Sequence, residues 1–153
     1  MENSSKHNRY QRLYDQLEAL MPKSNDPDAR MATIVAVLHH KMKDFFWTGF
    51  YFLKNGELTV HTYQGPLACQ VLKQHTGVCW AAIDQQKTLV VPDVHQFPGH
   101  IACDSRSQSE IVIPVRNPSG EITGVRDVDS ASLGTFDEID ARWLEKITSL
   151  IYA

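Results

Sequence analysis

The chain has 153 residues, 42% of them hydrophobic, which suits one domain built around a single core. Its formal net charge of −3 argues against a surface that binds nucleic acid or anionic membranes, and its apolar runs are too short to span a bilayer. The first ten residues lack the apolar segment of a signal peptide, so we expect a cytoplasmic protein with reduced thiols.

Hydrophobic periodicity predicts several helices, beginning near the N-terminus. Residues 1–8, ahead of the first leucine-rich segment, are expected to be flexible. Asp26 and Pro27 are typical of a helix start, with Asp26 as the N-cap. In chain order the predicted helices cover 10–21, 26–42 and 78–86, and a final helix follows near the C-terminus.

Two hairpins and one single strand complete the predicted elements. The first hairpin turns at Asn55-Gly56, a dipeptide typical of two-residue turns, and joins strands over 45–53 and 57–64. The strand TLVV ends at Pro92, and the second hairpin pairs EIVIPV with EITGVRDVD across residues 117–120.

The order of these elements predicts an α+β fold in one domain, residues 1–153. We expect a central, mostly antiparallel sheet with the N- and C-terminal helices packed on one face. Thr135 is the predicted N-cap of the final helix, and Glu138 completes a capping box with it. Residues 93–108 form a long polar loop, and long loops in compact domains often carry function.

Cys103 lies in an unusual setting for a cysteine, because the surrounding segment PGHIACDSRSQSE is polar and loop-like. A loop position leaves a thiol accessible. Positive charge on His100 or Arg106 would lower its pKa, whereas a nearby Asp104 carboxylate would raise it. Cys103 is therefore the best candidate for a nucleophile.

The other two cysteines are less clearly functional. Cys79 lies on an apolar helix face, GVCWAAI, where a core role and a chemical role are about equally supported. Cys69, in GPLACQ, follows a strand end. Three cysteines cannot all pair within one chain, and this odd number favours thiol chemistry or a metal over a static disulfide.

A metal site is a rival interpretation of the same loop. His95, His100 and Cys103 lie close together in the sequence, and Cys69 or Cys79 would complete a tetrahedral set. Structural zinc sites usually contain close ligand pairs such as C-x-x-C, and none occurs here. We therefore expect no metal.

Three carboxyl groups form a second candidate cluster. Strand alternation places Asp127 and Asp129 on one face, and pairing within the second hairpin brings Glu110 close to them. Acids gathered on one face repel each other, so at least one should have a raised pKa and be able to donate a proton or bind an amine. The alternative is a solvated strand face, but Glu110 directly follows the Cys103 loop, which favours a site.

Trp47 belongs to an aromatic run, FFWTGFYF, whose residues mostly belong to a core. Alternation places Phe45, Trp47 and Gly49 on one face and Phe46, Thr48 and Phe50 on the other. One of these rows can line a pocket. From composition alone, a core position is the more common outcome for a tryptophan.

The segments GPLACQ, GVCWAAI, VVPDVHQFPGHIACDS, SEIVIPV and GVRDVDS, in this order and spacing, resemble those of the GAF-domain free methionine-(R)-sulfoxide reductases. The resemblance covers almost the whole chain, and the block around Cys103 is long and specific. It implies a GAF-like fold and thiol-dependent reduction of free L-methionine-(R)-S-oxide to L-methionine. The implied cycle passes through a cysteine sulfenic acid and an intramolecular disulfide, uses no bound cofactor, and is completed by thioredoxin.

The resemblance also implies a role for each candidate residue. Cys103 matches the nucleophile, Cys69 the resolving thiol, and Cys79 an auxiliary thiol that can exchange into a disulfide. Three acids match those that bind the substrate ammonium and assist protonation of the leaving oxygen, and one aromatic residue matches the wall against the substrate methyl group. These residues are Glu110, Asp127, Asp129 and Trp47.

Arg126 departs from the resemblance, because the family usually has an apolar residue at this position. Alternation directs its side chain away from Asp127 and Asp129, toward the face that packs under helices. An unpaired guanidinium there is unfavourable. We therefore expect either an edge-like strand at this point or an ion pair with Asp137 or Glu138.

Two other classes of function fit parts of the sequence. A GAF sensor would bind a small ligand or form a reversible disulfide without turnover, and a zinc-stabilised interaction domain would need stoichiometric metal. A sensor normally acts through an output domain, for which 153 residues leave no room, so the enzyme is favoured. GAF domains often pair through their terminal helices, which makes a homodimer one expected assembly.

Overall fold

The computed structural model describes residues 2–100 and 103–153, with side chains from residue 4 onward. Its helices are α1 (Glu2–Leu20), α2 (Pro27–Lys41), α3 (Gly77–Gln85) and α4 (Glu138–Ser149). Its strands are β1 (Trp47–Lys54), β2 (Glu57–Gln64), β3 (Val71–Leu72), β4 (Leu89–Val91), β5 (Ser109–Arg116) and β6 (Ile122–Ser130). Short 3₁₀ helices follow α1, β4 and α4, at Met21–Lys23, Val94–Gln96 and Leu150–Tyr152.

The six strands form one antiparallel sheet in the order β3-β2-β1-β6-β5-β4. Both predicted hairpins are present, and Asn55 and Gly56 adopt φ values of 54° and 79° that the tight first turn requires. The short strand β3, between β2 and α3, is not among the elements predicted from the sequence. The α+β prediction with an antiparallel sheet is confirmed.

The two faces of the sheet carry different helices. One face packs against α1, α2 and α4, and the core between them includes the fully buried Tyr10, Ile34, Phe50 and Leu144. The prediction that the terminal helices share one face is therefore confirmed. The other face carries α3 and a smaller apolar cluster around Trp80.

The N-terminus differs from the prediction. Residue 1 lies outside the described residues, but α1 begins at Glu2, so the segment 2–8, expected to be flexible, is helical. The physical reason is contact with α4. Lys6 Nζ donates to Asp140 Oδ2 over 2.7 Å, and Trp143 Nε1 donates to His7 Nδ1 over 3.1 Å.

The start of α4 also differs from the prediction. Asp137, not Thr135, is the N-cap, and its carboxylate accepts hydrogen bonds from the N–H groups of Ile139 and Asp140. Asp140 replaces Glu138 as the reciprocal partner of the capping box, since it accepts from the Asp137 N–H. Thr135 instead donates to Ser130 Oγ over 2.6 Å, which ties it to the end of β6.

Arg126 is fully buried in the core on the helical face, and both expectations for it are wrong. The strand β6 is central in the sheet, between β1 and β5. Asp137 pairs with Lys6 instead, and all three guanidinium nitrogens of Arg126 lack a hydrogen-bond partner among the described residues. Burial lowers the pKa of Arg126 to about 10, so the group still carries its charge at neutral pH.

Replacing Arg126 with methionine should stabilise the fold. The substitution removes an uncompensated buried charge and keeps an unbranched side chain, so we expect the free energy of unfolding to rise by about 1–4 kcal/mol. Urea denaturation with linear extrapolation measures this difference. Arg142→Met on the exposed face of α4 is the control, with an expected change within about 0.5 kcal/mol. A less stable Arg126→Met variant would show that the guanidinium has a favourable partner.

Candidate active site

A cavity of about 230 Å³ opens on the face of the sheet that carries α3. Its wall brings together side chains from β1, β5, β6, α3 and the two loops that follow β2 and β4. All seven residues to which the resemblance assigns a role lie in this wall: Trp47, Cys69, Cys79, Cys103, Glu110, Asp127 and Asp129.

Two of the three thiols form a disulfide at the cavity. Cys69, in the loop between β2 and β3, is bonded to Cys103, in the loop between β4 and β5, with their Cα atoms 5.5 Å apart. Cys103 is exposed and Cys69 is half-buried. The two loops thus hold the candidate nucleophile and its candidate partner within bonding distance.

The structure does not place an unopposed positive charge beside Cys103, which the sequence had offered as a way to lower the pKa of this thiol. Arg106 binds Asp104 through Nε and Nη2, at 2.9 and 2.7 Å, and these hydrogen bonds lower the pKa of Asp104 to about 2. The two neighbours of Cys103 therefore largely offset each other. His100 lines the cavity, but burial lowers its pKa, so its ring is neutral at pH 7 and supplies no positive charge.

The three carboxyl groups are adjacent on the sheet, as strand alternation predicts. Glu110 on β5 lies directly opposite Asp129 on β6. Asp127 lies on the same face of β6, two residues before Asp129. Glu110 and Asp127 are each 5% exposed, and Asp129 is half-buried. Asp127 Oδ1 is buried without a hydrogen-bond partner among the described residues.

Burial and mutual repulsion raise the pKa of these acids. Burial raises the pKa of Glu110 well above its ordinary value, and the Asp127 and Asp129 carboxylates add to the effect. Burial and the charge of Asp127 raise the pKa of Asp129 in the same way. Burial also raises the pKa of Asp127, although hydrogen bonding with Glu110 and Cys79 opposes it. The cluster thus retains protons at pH values at which exposed carboxyls are ionised.

Cys79 lies between the apolar cluster around Trp80 and the acids. The two interpretations of its sequence, a core role and a chemical role, therefore each describe part of its surroundings. It is 5% exposed on α3, and its Sγ lies 4.0 Å from Glu110 Oε2. Burial, reinforced by the charges of the three acids, raises the pKa of its thiol well above the ordinary value. A raised pKa leaves little thiolate at neutral pH, so Cys79 is a weaker candidate nucleophile than Cys103.

Trp47 forms an aromatic wall that is both buried and part of the cavity. It is 4% exposed, and its ring stacks with those of Tyr51 and Tyr63 at centroid distances of 5.7 and 5.2 Å. Gly49 makes room for the indole, because a Cβ there would lie 2.6 Å from Trp47 Cη2. The indole Nε1 is buried and has no partner among the described residues.

The alternation predicted for the aromatic run holds from Trp47 onward but fails before it. Phe45 packs in the core on the helical face, whereas Phe46 lines the cavity, the reverse of the prediction. The reason is that β1 begins only at Trp47, so the two preceding residues do not follow the strand pattern. Tyr51, two residues beyond Gly49, also lines the cavity, and the same alternation would have identified it.

Comparisons with known proteins identify the family of this chain. Residues 24–152 match the GAF domain family model. Over 142 residues the chain is 37% identical to a free methionine-R-sulfoxide reductase of Escherichia coli, covering 92% of this chain and 84% of that protein. The chain belongs to the GAF-domain free methionine-R-sulfoxide reductase family.

Two further proteins are similar to this chain over most of its length. It is 46% identical over 148 residues to GAF domain-containing protein A of Dictyostelium discoideum, covering 96% of this chain and 92% of that protein. The free methionine-R-sulfoxide reductase of Neisseria meningitidis, solved in complex with its substrate, superposes with a TM-score of 0.88 at 39% identity. That alignment covers 94% of this chain and 86% of the Neisseria chain.

The geometry does not form the metal set that the sequence offered as a rival. The sulfurs of Cys69 and Cys103 are bonded to each other, and His95 Nδ1 lies 3.2 Å from Asp93 Oδ1. Among the described residues, the groups close enough to share an ion are Cys79, Glu110 and Asp127.

None of the helices in the part of the chain that the structure describes has the length and apolar character needed to traverse a bilayer.

Proposed function

We propose that this chain reduces free L-methionine-(R)-S-oxide to L-methionine through its cysteine thiols. The observation that supports this most directly is the shared cavity, in which the Cys69–Cys103 pair faces the same space as three acids and an aromatic wall. A thiol pair of this kind supplies two electrons, which is what the reduction of a sulfoxide consumes.

The cavity is complementary to the parts of the substrate. The acid cluster suits the ammonium group, because Glu110, Asp127 and Asp129 lie side by side with few other partners. The apolar faces of Trp47 and Tyr51 suit the S-methyl group. Main-chain N–H groups of the long loop would bind the substrate carboxylate. A cavity of about 230 Å³ favours a free amino acid over a peptide.

The proposed chemistry begins in the reduced chain. The Cys103 thiolate attacks the sulfoxide sulfur, and a proton from the acid cluster is transferred to the sulfoxide oxygen. The S–O bond then breaks as the hydroxyl oxygen is transferred to the Cys103 sulfur. The bond between the two sulfurs breaks as well, so methionine leaves and Cys103 becomes a sulfenic acid; the thiol is oxidised by two electrons and the sulfoxide reduced by two. Glu110 and Asp127 are the proposed proton donors, because a buried carboxyl with a raised pKa can hold a proton near neutral pH.

The second half of the proposed cycle regenerates the thiols. The Cys69 thiol condenses with the Cys103 sulfenic acid, which releases water and forms the disulfide. Thioredoxin then reduces this disulfide, becoming oxidised itself, and no bound cofactor takes part. Cys79, whose pKa is raised, would enter only by exchange with that disulfide. We further propose a cytoplasmic enzyme, in which thioredoxin is the partner, and a homodimer formed through the terminal helices.

Turnover with resolved epimers tests this function. The purified chain, thioredoxin and its reductase should convert free L-methionine-(R)-S-oxide to methionine and leave the S epimer unchanged, because the aromatic wall fixes the position of the methyl group at the stereogenic sulfur. Methionine is quantified by chromatography. An N-acetylated, amide-capped R epimer is the matched control and should not react. Equal turnover of both epimers, or none of either, would contradict the proposal.

A further inference from the structure

The proposed reaction uses the acid cluster but leaves Cys79 without a direct role, although its sulfur lies beside two of the acids. Cys79 Sγ and one carboxylate oxygen each of Glu110 and Asp127 all lie within 4.8 Å of one another. They come from α3, β5 and β6, and each side chain is 5% exposed. These three residues are called the thiol-carboxylate cluster below.

An unpaired oxygen supports the presence of a ligand at this cluster. Asp127 Oδ1 is buried, lines the cavity and has no hydrogen-bond partner among the described residues. In the ionised form this oxygen can only accept, so it is then satisfied by a donor that enters the cavity, such as the substrate ammonium, or by a cation. Cys79 adds a soft sulfur ligand, which the ammonium group of an amino acid does not use.

The distances suit a small, thiophilic divalent cation. In a tetrahedral zinc site with bonds of about 2.0–2.3 Å, neighbouring ligand atoms are about 3.3–3.8 Å apart. The separation of 4.0 Å between Cys79 Sγ and Glu110 Oε2 is close to this range, and the other two separations are at most 4.8 Å. A sulfur ligand selects Zn²⁺ or Co²⁺ over Mg²⁺ and Ca²⁺, which prefer oxygen alone.

We infer that the thiol-carboxylate cluster binds Zn²⁺ through Cys79, Glu110 and Asp127, and that the ion excludes the substrate ammonium from the cavity. The fourth ligand is Asp129, which lies opposite Glu110 in the sheet, or a water molecule. Metal binding stands independently of the reaction, whereas the competition with substrate rests on the proposed function. The ion acts as an inhibitor here, not as a cofactor.

Cobalt spectroscopy on the oxidised chain tests the metal site directly. With Cys69 and Cys103 bonded, Cys79 is the remaining thiol of the three, so any sulfur-to-Co²⁺ charge-transfer band must arise from it. We expect one Co²⁺ per chain, a near-ultraviolet charge-transfer band, and displacement of Co²⁺ by Zn²⁺. The absence of the band under excess Co²⁺ would overturn the inference.

Matched variants locate the ion. Cys79→Ser should lose the charge-transfer band, and Asp127→Asn should weaken Co²⁺ binding at least tenfold. Asp84→Asn is the control, since Asp84 is an exposed acid paired with His75 and lies outside the cavity wall. A band that persists in Cys79→Ser, or equal weakening in Asp84→Asn and Asp127→Asn, would place the ion elsewhere. Thermal unfolding verifies that each variant is folded.

Competition with the substrate is tested on the same oxidised chain, which cannot turn over. The R epimer of free methionine sulfoxide should displace Co²⁺ at lower concentration than the S epimer. Both epimers chelate free Co²⁺ through the same amino and carboxylate groups, so a difference reports the cavity. Equal displacement by both epimers would refute the competition and leave the metal site standing. Loss of turnover in the epimer assay with intact Co²⁺ binding would refute the proposed function alone.

Discussion

Replacing Cys103 with serine should abolish the thioredoxin-dependent reduction of free L-methionine-(R)-S-oxide. A serine hydroxyl is a far weaker nucleophile than a thiolate and cannot form the sulfenic acid, so we expect kcat/KM to fall by at least about 10³-fold. The position explains the size of the effect. Cys103 is the exposed member of the cysteine pair at the cavity, whereas Cys79 is buried with a raised pKa and cannot substitute for it. Methionine release, followed by chromatography, measures the loss.

Cys69→Ser is the matched control for this experiment, because both substitutions break the same disulfide. Any loss of stability from removing the covalent link is therefore common to the two variants. With the reduced Cys69→Ser chain we expect one methionine per chain in a rapid burst, after which thioredoxin-supported turnover stops. A burst in Cys103→Ser and none in Cys69→Ser would reverse the two assignments.

The acid cluster illustrates what the sequence could predict. Two hairpin signals and a period of two along the strands are enough to place Glu110 opposite Asp129, with Asp127 on the same face. These features are local, so they follow from turn residues and alternation. The cavity itself was predictable only through the resemblance, because the Cys69 and Cys103 loops have no periodic pattern to fix their path.

Other features depend on contacts between distant segments and could not be predicted from local sequence. The helix α1 extends to Glu2 because Lys6 meets Asp140 on α4, far away in the chain. The sequence predicts Thr135 as the N-cap of α4, but Thr135 bonds to Ser130 and Asp137 caps the helix instead. Arg126 is likewise buried because β6 is central in the sheet, and its guanidinium has no hydrogen-bond partner among the described residues.

Burial of three acids in one cavity links stability to chemistry. A fully ionised cluster would place several negative charges in a low-dielectric space, which is highly unfavourable. The fold therefore favours protonated carboxyls in the cluster, and a protonated Glu110 or Asp127 next to a sulfoxide oxygen is what the proposed reaction needs. The ammonium group of the substrate would pair with a carboxylate that remains ionised.

Glu110→Gln should separate these contributions and is expected to lower kcat/KM by about 10²–10⁴-fold, since an amide cannot donate the proton. It should also change how stability depends on pH. The folded-state pKa of Glu110 is raised, mainly by burial and then by its two acidic neighbours, so its favourable contribution is present at low pH and lost as pH rises through that value. Glutamine does not ionise, and the variant should therefore gain stability relative to the parent chain as pH rises above the ordinary glutamate pKa of about 4.3.

Urea unfolding at a series of pH values measures this difference, and Glu121→Gln provides the control. Glu121 is exposed at the turn of the same hairpin, so its replacement should leave both the activity and the pH profile of stability parallel to those of the parent chain. If Glu110→Gln also follows the parent profile, the Glu110 carboxyl is ionised in the folded chain at neutral pH. Proton donation would then belong to Asp127, the other proposed donor, and Asp127→Asn would carry the large loss of activity.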